Sequence, residues 1–341
     1  MSRQTGTSAG PVPLPVVMTL PQYSRASGLG LVKWVGSSNE SCIAPSPSAV
    51  AAMTEAAAGT NRYPGIAGEK LVAAIAGRLG MDAGQIAVGA GSLALLGHIL
   101  SAYAPPGSSV VYAWRSYEAY PILVALAGAK SVPVALDDRH RHDLEAIGAA
   151  ITTDTSVVLL CNPNNPTGTV LEIWEIAEFL DNSPHDVLVV LDEAYTEFSF
   201  PGNDSTELLA KYPNLLILRT FSKAYGLAGA RAGYLLTHAD IAENIRAVAP
   251  PFGLSSMAQA GAVAAWADVD YLRASGAEVV AERDYLASEL VARGLEFLPS
   301  GGNFVWIPSG SLSLELEAAC VAHGVSVRAF QGSGVRVTIS V

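Results

Sequence analysis

The chain has 341 residues, half of them apolar and only 15% charged, with a formal net charge of −11. This is enough apolar sequence to bury a large core, in one big domain or two unequal ones. The acidic balance, with no cluster of Lys and Arg, argues against a nucleic-acid partner, whose phosphates need such clusters.

The opening residues, MSRQTGTSAGPVPLP, are small, polar and Pro-rich, with no apolar stretch behind a basic start. They do not read as a signal peptide, and the expected location is the cytoplasm. Residues 1–40, irregular and rich in Pro, Gly and Ser, read as an arm that packs against the C-terminal part of the chain or against a second subunit. The longest apolar runs, SVVLL at 156–160 and VLVVL at 187–191, are too short to cross a bilayer and read as buried strands, so no membrane partner is expected.

From about residue 85 to 240, short apolar runs alternate with helical patterns. QIAVGAG precedes SLALLGHILSAYA, SVVYAW precedes EAYPILVALAGA, and SVVLLCNP precedes LEIWEIAEFLDN; VLVVLDEAY, NLLILRTFS and GYLLT follow. Strands alternating with helices imply an α/β domain whose mostly parallel sheet is covered on both faces. Beyond Ala239 the pattern changes to long Ala-rich helices, then short strands around NFVWIP, VSVRAF and VRVTIS, a smaller α+β piece. The expected division is 1–40 for the arm, 41–245 for the large domain and 246–341 for the small one.

Cys42, Cys161 and Cys320 are an odd number at wide spacing, which fits neither a disulfide framework nor a metal knuckle. All three are expected to be small buried hydrophobes. His140 and His142 lie in DDRHRHDL, whose mixed charges suggest a solvated loop before a helix, and no metal is expected there.

Three strand-end loops carry the chemistry: CNPNNPTG at 161–168, LDEAY at 191–195 and RTFSKAYGLAGARAGY at 219–234. Residues just past the carboxyl ends of parallel strands converge on one crevice. An Asp, a Lys, an Arg and an Asn therefore meet there. Pyridoxal 5'-phosphate asks for such a set: an amine for its aldehyde, a carboxylate for its ring nitrogen, and donors for its phosphate. Asp192 closes an apolar strand and is expected to be half-buried, where a protonated ring nitrogen would supply a partner. Desolvation and a neighbouring cation would lower the pKa of Lys223. Ser222 and Arg231 offer a hydroxyl and a guanidinium suited to phosphate.

The stretch VGAGSLALLG at 88–97 is a strand, a Gly-rich turn and a helix start, an anion site made of free N–H groups and the helix dipole. Gly89, Gly91 and Ala94 also fit a relaxed dinucleotide fingerprint, which the glycines alone do not exclude. The ribose carboxylate expected about 20 positions on is missing, since no acidic residue lies between Gly91 and Glu118. Taken singly, Lys223 reads equally as a surface lysine and NPNNPTG as a turn-rich loop.

In order and spacing, NPNNPTG, DEAY and SKAYGLAGARAGY resemble the fold type I aminotransferases, and within them the histidinol-phosphate aminotransferase group, over nearly the whole chain. The resemblance implies a large domain on a mostly parallel seven-stranded sheet flanked by helices, a smaller α+β domain, pyridoxal 5'-phosphate as cofactor, and a homodimer with shared active sites. It implies Lys223 as the amine that holds the cofactor and shuttles the proton, Asp192 on the ring nitrogen, and Asn165 and Tyr195 on the ring oxygen. Tyr117, in WRSYEAYP, would stack on the ring face. Gly91, Ser92, Ser222 and Arg231 would form the phosphate cup, with Tyr63, in NRYPG, reaching the phosphate from the second subunit.

On the substrate side, Arg336 in GVRVTIS resembles the clamp for the α-carboxylate, a role suited to a guanidinium fork. Asn39 in SSNES and Tyr23 in LPQYSRASG resemble N-terminal substrate contacts, although the usual Pro-Gly after Tyr23 is absent. The chain also stops at Val341, where the family normally adds a helix. The segment WRSYEAYPI is similar to that of the aromatic amino acid aminotransferases, which implies Phe, Tyr or Trp as donor and a 2-oxo acid as acceptor. Arg328 in VSVRAF matches a position associated with the distal phosphate of histidinol phosphate, the alternative donor. The same cofactor residues also serve decarboxylases, cyclases and oxidases.

Overall fold

The computed structural model describes residues 11–20, 32–199 and 204–340; Tyr23 lies outside them. Its strands are β1 (Trp34–Val35), β2 (Ile86–Gly89), β3 (Ser109–Trp114), β4 (Lys130–Ala135), β5 (Thr155–Cys161), β6 (Leu188–Asp192), β7 (Leu215–Thr220), β8 (Gly233–Thr237), β9 (Phe304–Ile307), β10 (Val325–Ser326), β11 (Arg328–Phe330) and β12 (Gly334–Thr338).

Seven strands form one sheet in the order β2-β8-β7-β6-β5-β3-β4. Every pairing is parallel except those of β8, which runs antiparallel to both its neighbours. The fold is thus the α/β, mostly parallel architecture that the alternating runs imply.

The central strands are apolar on successive residues because helices cover both faces of the sheet. Val158, Leu160, Val189, Leu191 and Ile217 pack on one side with Ile75, Phe179 and Trp266. Val157, Leu159, Val190, Leu216 and Leu218 face the other, against Leu95, Leu96 and Ile99 of the helix Ser92–Tyr103. Each such fully buried aliphatic side chain contributes roughly 1.5–3 kcal/mol, so a two-faced core holds the strand ends firmly in place.

β4 does not register as an apolar run because it is the sheet's edge. KSVPVA alternates between exposed and part-buried residues, and Pro133 has no N–H to offer a further strand.

The C-terminal strands form a three-stranded antiparallel sheet, β11-β12-β9, in which Arg328 and Arg336 are direct cross-strand partners. β1 pairs in parallel with β10, and the Thr338 N–H donates to the Gly36 carbonyl, so the segment before residue 40 is tied to the C-terminal sheet. The Ala-rich stretch is two helices, Ser256–Ala267 and Val269–Ala292. The first of them packs on the large sheet, where Ala258, Ala262 and Trp266 join the core.

Two expectations are corrected. Of the cysteines only Cys161 is buried, while Cys42 is exposed and Cys320 intermediate. His142 is buried rather than solvated: its Nε2 lies 3.1 Å from Asn164 Oδ1, and burial pushes its pKa down to about 4. The mixed charges of DDRHRHDL hid a ring turned inward. No helix among the described residues is long and apolar enough to cross a membrane.

Candidate active site

The carboxyl ends of β5, β6 and β7, the loop after β3 and the start of the helix Ser92–Tyr103 open on one cavity of about 490 Å³. The segment 37–40 and strands β11 and β12 line it from the C-terminal side. Of the residues singled out from the sequence, Asn39, Ser92, Tyr117, Asn165, Asp192, Tyr195, Ser222, Lys223, Arg231, Arg328 and Arg336 all line it.

Asp192 ends β6 and is buried outright, not half-buried. Burial pushes its pKa up to about 6, partly offset by the Tyr120 hydroxyl, which donates to Oδ2 at 2.9 Å. The Ala194 N–H also lies near and lowers the value, yet Oδ1 makes no hydrogen bond of good geometry with any described group. A buried carboxylate oxygen in that condition is costly and suits a cationic donor.

Lys223 is partly buried, three residues past the end of β7, and its Nζ donates to the Asn39 carbonyl at 2.9 Å. Burial, and after it the charge of Arg336, bring its pKa down to about 7. A lysine so placed offers a neutral amine near neutral pH. Tyr195 is buried; its hydroxyl accepts from Asn39 Nδ2 at 3.0 Å, and burial raises its pKa.

The three asparagines of CNPNNPTG do different work. Asn162 exchanges two hydrogen bonds with the backbone of Leu171. Asn164 ties the loop together through Arg115, Ser116, His142 and Thr167. Asn165 alone faces the cavity, where its Oδ1 accepts from Arg336 Nη1 at 2.6 Å. Arg336 also donates Nη2 to the Ser37 carbonyl at 2.5 Å.

At the opposite end, Gly91 caps the helix Ser92–Tyr103 with φ 86° and no side-chain hydrogen bond. A Cβ at Gly91 would lie 2.5 Å from Arg231 Nη2, and one at Gly233 would lie 2.5 Å from the Ser92 nitrogen. Gly91 is therefore held to glycine by its left-handed backbone, the Arg231 guanidinium being free to shift, and Gly233 by close approach to fixed backbone. Arg231 adopts φ 60°, a conformation unusual for a side-chain-bearing residue, and its Nη1 lies 3.3 Å from Ser222 Oγ. Free helix N–H groups beside a hydroxyl and a guanidinium form an anion cradle.

Tyr63 does not line the cavity. It is 84% exposed and stacks on Phe252 at 4.7 Å. Three lining or supporting residues escaped the sequence reading. Tyr120 anchors Asp192, Phe330 forms an aromatic wall, and Glu118 pairs with Arg328 at 2.8 Å. Arg328 is itself buried.

The chain matches the family model "Aminotransferase class I and II" over residues 35–341. It is 42% identical over 326 residues to the aromatic amino acid aminotransferase of Cutibacterium acnes, covering 95% of this chain and 93% of that one. It is 47% identical over 305 residues to the enzyme of the same name from Thermobifida fusca, covering 89% and 85%. Among solved structures, histidinol-phosphate aminotransferase from Sinorhizobium meliloti, in complex with pyridoxal-5'-phosphate, superposes with a TM-score of 0.90 at 31% identity, covering 98% of this chain and 95% of that one. A family match across almost the whole chain, on the fold and around the cavity described above, makes this protein a member of the class I and II aminotransferases.

Proposed function

We propose that this aminotransferase uses pyridoxal 5'-phosphate to move an amino group between an aromatic amino acid (phenylalanine, tyrosine or tryptophan) and a 2-oxo acid. The observation that carries the reading is one cavity in which Lys223 and Arg336 stand among aromatic side chains, Tyr117 and Phe330. The names of the relatives at 42–47% identity support it.

The residues fit the cofactor. Asp192 Oδ1, buried and without a good hydrogen bond, matches a protonated ring nitrogen. The Gly91–Ser92–Ser222–Arg231 cradle suits a phosphate, and Asn165 and Tyr195 would hold the ring oxygen. Tyr117 would cover the ring face. When bound, the cofactor supplies an electron sink for the substrate's α-carbon.

Lys223, with its pKa brought down to about 7, takes the α-proton and returns it on the other side of the transfer. Arg336 clamps the α-carboxylate, and Asn39 orients both Lys223 and Tyr195. Tyr63, exposed here, belongs to the phosphate site of a second copy, which makes the working unit a homodimer. Tyr23 remains a substrate contact in this reading, and the cytoplasm the location. The division at about 1–40, 41–245 and 246–341 is kept, the helix Ser256–Ala267 of the last part packing across onto the large sheet.

The second reading, histidinol phosphate as donor, draws on Arg328 in the cavity and on the name of the Sinorhizobium meliloti relative. The direct test sets phenylalanine against histidinol phosphate as donor to the purified enzyme.

Arg336→Ala is expected to cost about 2–4 kcal/mol in kcat/KM for phenylalanine, mostly as a higher KM, because a charge-assisted pair is truncated. Steady-state kinetics at several pH values check it. Since Arg336 also lowers the pKa of the free Lys223 amine, that amine should titrate at higher pH in the cofactor-free variant than in the cofactor-free wild type. An unchanged KM contradicts the clamp.

A further inference from the structure

Two guanidiniums enter the cavity from neighbouring strands. Arg328 on β11 and Arg336 on β12 are direct cross-strand partners, so they share one face of the small sheet. Both stand 5.7 Å from the ring of Phe330, which lies two residues beyond Arg328 on the same face. Their partners differ in kind. The acceptors described for Arg336 are an amide and a backbone carbonyl, both neutral. Arg328 directs Nη2 at both oxygens of the Glu118 carboxylate, at 2.8 and 3.1 Å.

We propose that Glu118 sets the side-chain selectivity of this site. By holding Arg328 in an ion pair, it tilts the cavity toward amino acids with uncharged side chains and away from those that end in a carboxylate or phosphate. The inference deepens the donor reading above and rests on it for the identity of the ligand's α-carboxylate end.

A distal anion entering beside Phe330 meets a guanidinium already matched by a carboxylate. To use Arg328 it must displace Glu118 and then lie beside that negative charge. The Arg328 side chain is 9% exposed and that of Glu118 30%, so water compensates the broken pair poorly on the arginine side. An aromatic or aliphatic side chain leaves the pair intact and packs on Phe330. Selectivity of this kind comes from a repulsive element as much as from an attractive one. Glu118 follows Tyr117 directly, so the same loop brings the ring-facing residue and the selectivity residue to the cavity.

The test uses the holoenzyme and two unreactive acids, 3-phenylpropionate and glutarate, which share one carboxylate and differ in whether the distal end is apolar or anionic. Their dissociation constants are read by calorimetry. Glu118→Gln is expected to shift the affinity ratio toward glutarate by about tenfold, the low end of the coupling between close charge pairs, since Glu118 is part-exposed. Arg328→Gln is expected to shift it the other way, because Glu118 then faces the ligand alone, and the double variant should return the ratio close to that of the wild type.

A ratio unmoved in both single variants, or a Glu118→Gln shift that persists when Arg328 is also replaced, overturns the proposal. Failure of the donor reading shows separately, as wild-type enzyme that does not transfer the amino group of phenylalanine.

Discussion

Replacing Lys223 with alanine will lower turnover by at least about 10⁴-fold while leaving the protein folded and able to hold its cofactor without a covalent bond. The factor reflects the loss of both nucleophile and proton carrier in one residue. The fold should survive because the group that loses its donor keeps another: the Asn39 carbonyl also accepts from Asn303 Nδ2 at 3.3 Å. The phosphate cradle and Asp192 are untouched. Single-turnover kinetics measure the loss. Borohydride reduction of the wild type, followed by peptide mapping, should place the label on Lys223; a label on another lysine contradicts the assignment.

Asp192→Asn carries the second large effect, in two opposite directions. Activity should fall by at least roughly 10²–10³-fold, since a preorganised charge is removed from the reacting ring while shape is kept. Stability of the cofactor-free protein should rise. In the folded state the carboxyl titrates at about 6, above its ordinary 3.8, so the native chain holds the proton more tightly than the unfolded one. The stability this brings is fully present below the ordinary value and is lost as the pH rises through about 6. At pH 7 the wild type therefore carries a deficit on the order of 2–3 kcal/mol that the asparagine variant lacks. Denaturation of both cofactor-free proteins between pH 4 and 7 reads the difference. Curves that stay parallel over that range contradict a buried carboxylate without a strong partner.

What the sequence made legible, and what it hid, follows from how far each interaction reaches along the chain. Asp192 and Lys223 could be found because each sits at or just past the end of an apolar strand, and parallel topology brings such ends together. The Gly91–Ser92 turn was readable for the same reason. Asn165 could be told from Asn162 and Asn164 only by resemblance, since all three lie in one turn-rich run and their different directions depend on Leu171, Ser116 and Arg336.

Glu118 was legible only as one letter of WRSYEAYP; its partner Arg328 lies 210 residues away, on a strand of the small C-terminal sheet. Tyr120 likewise became functional only when the helix Tyr120–Leu126 set its hydroxyl on Asp192, 72 residues on. His142 misled because charge along a segment says nothing of a single ring turned inward. The edge strand β4 fell below the threshold of an apolar run, since only one of its faces is packed with any consistency. Tyr63 shows a limit of another kind. On a single chain it is a surface residue stacked on Phe252, and its proposed role needs a second copy.

The central claim, amino-group transfer from an aromatic donor, is tested most directly by the absorbance spectrum of the purified holoenzyme. Phenylalanine is added without any acceptor, and histidinol phosphate is added to a second sample. Phenylalanine should abolish the visible band of the lysine-linked cofactor and raise the near-ultraviolet band of its aminated form, in an amount equal to the active sites present, with histidinol phosphate reacting far more slowly. A visible band that phenylalanine, tyrosine and tryptophan all leave unchanged would contradict the account.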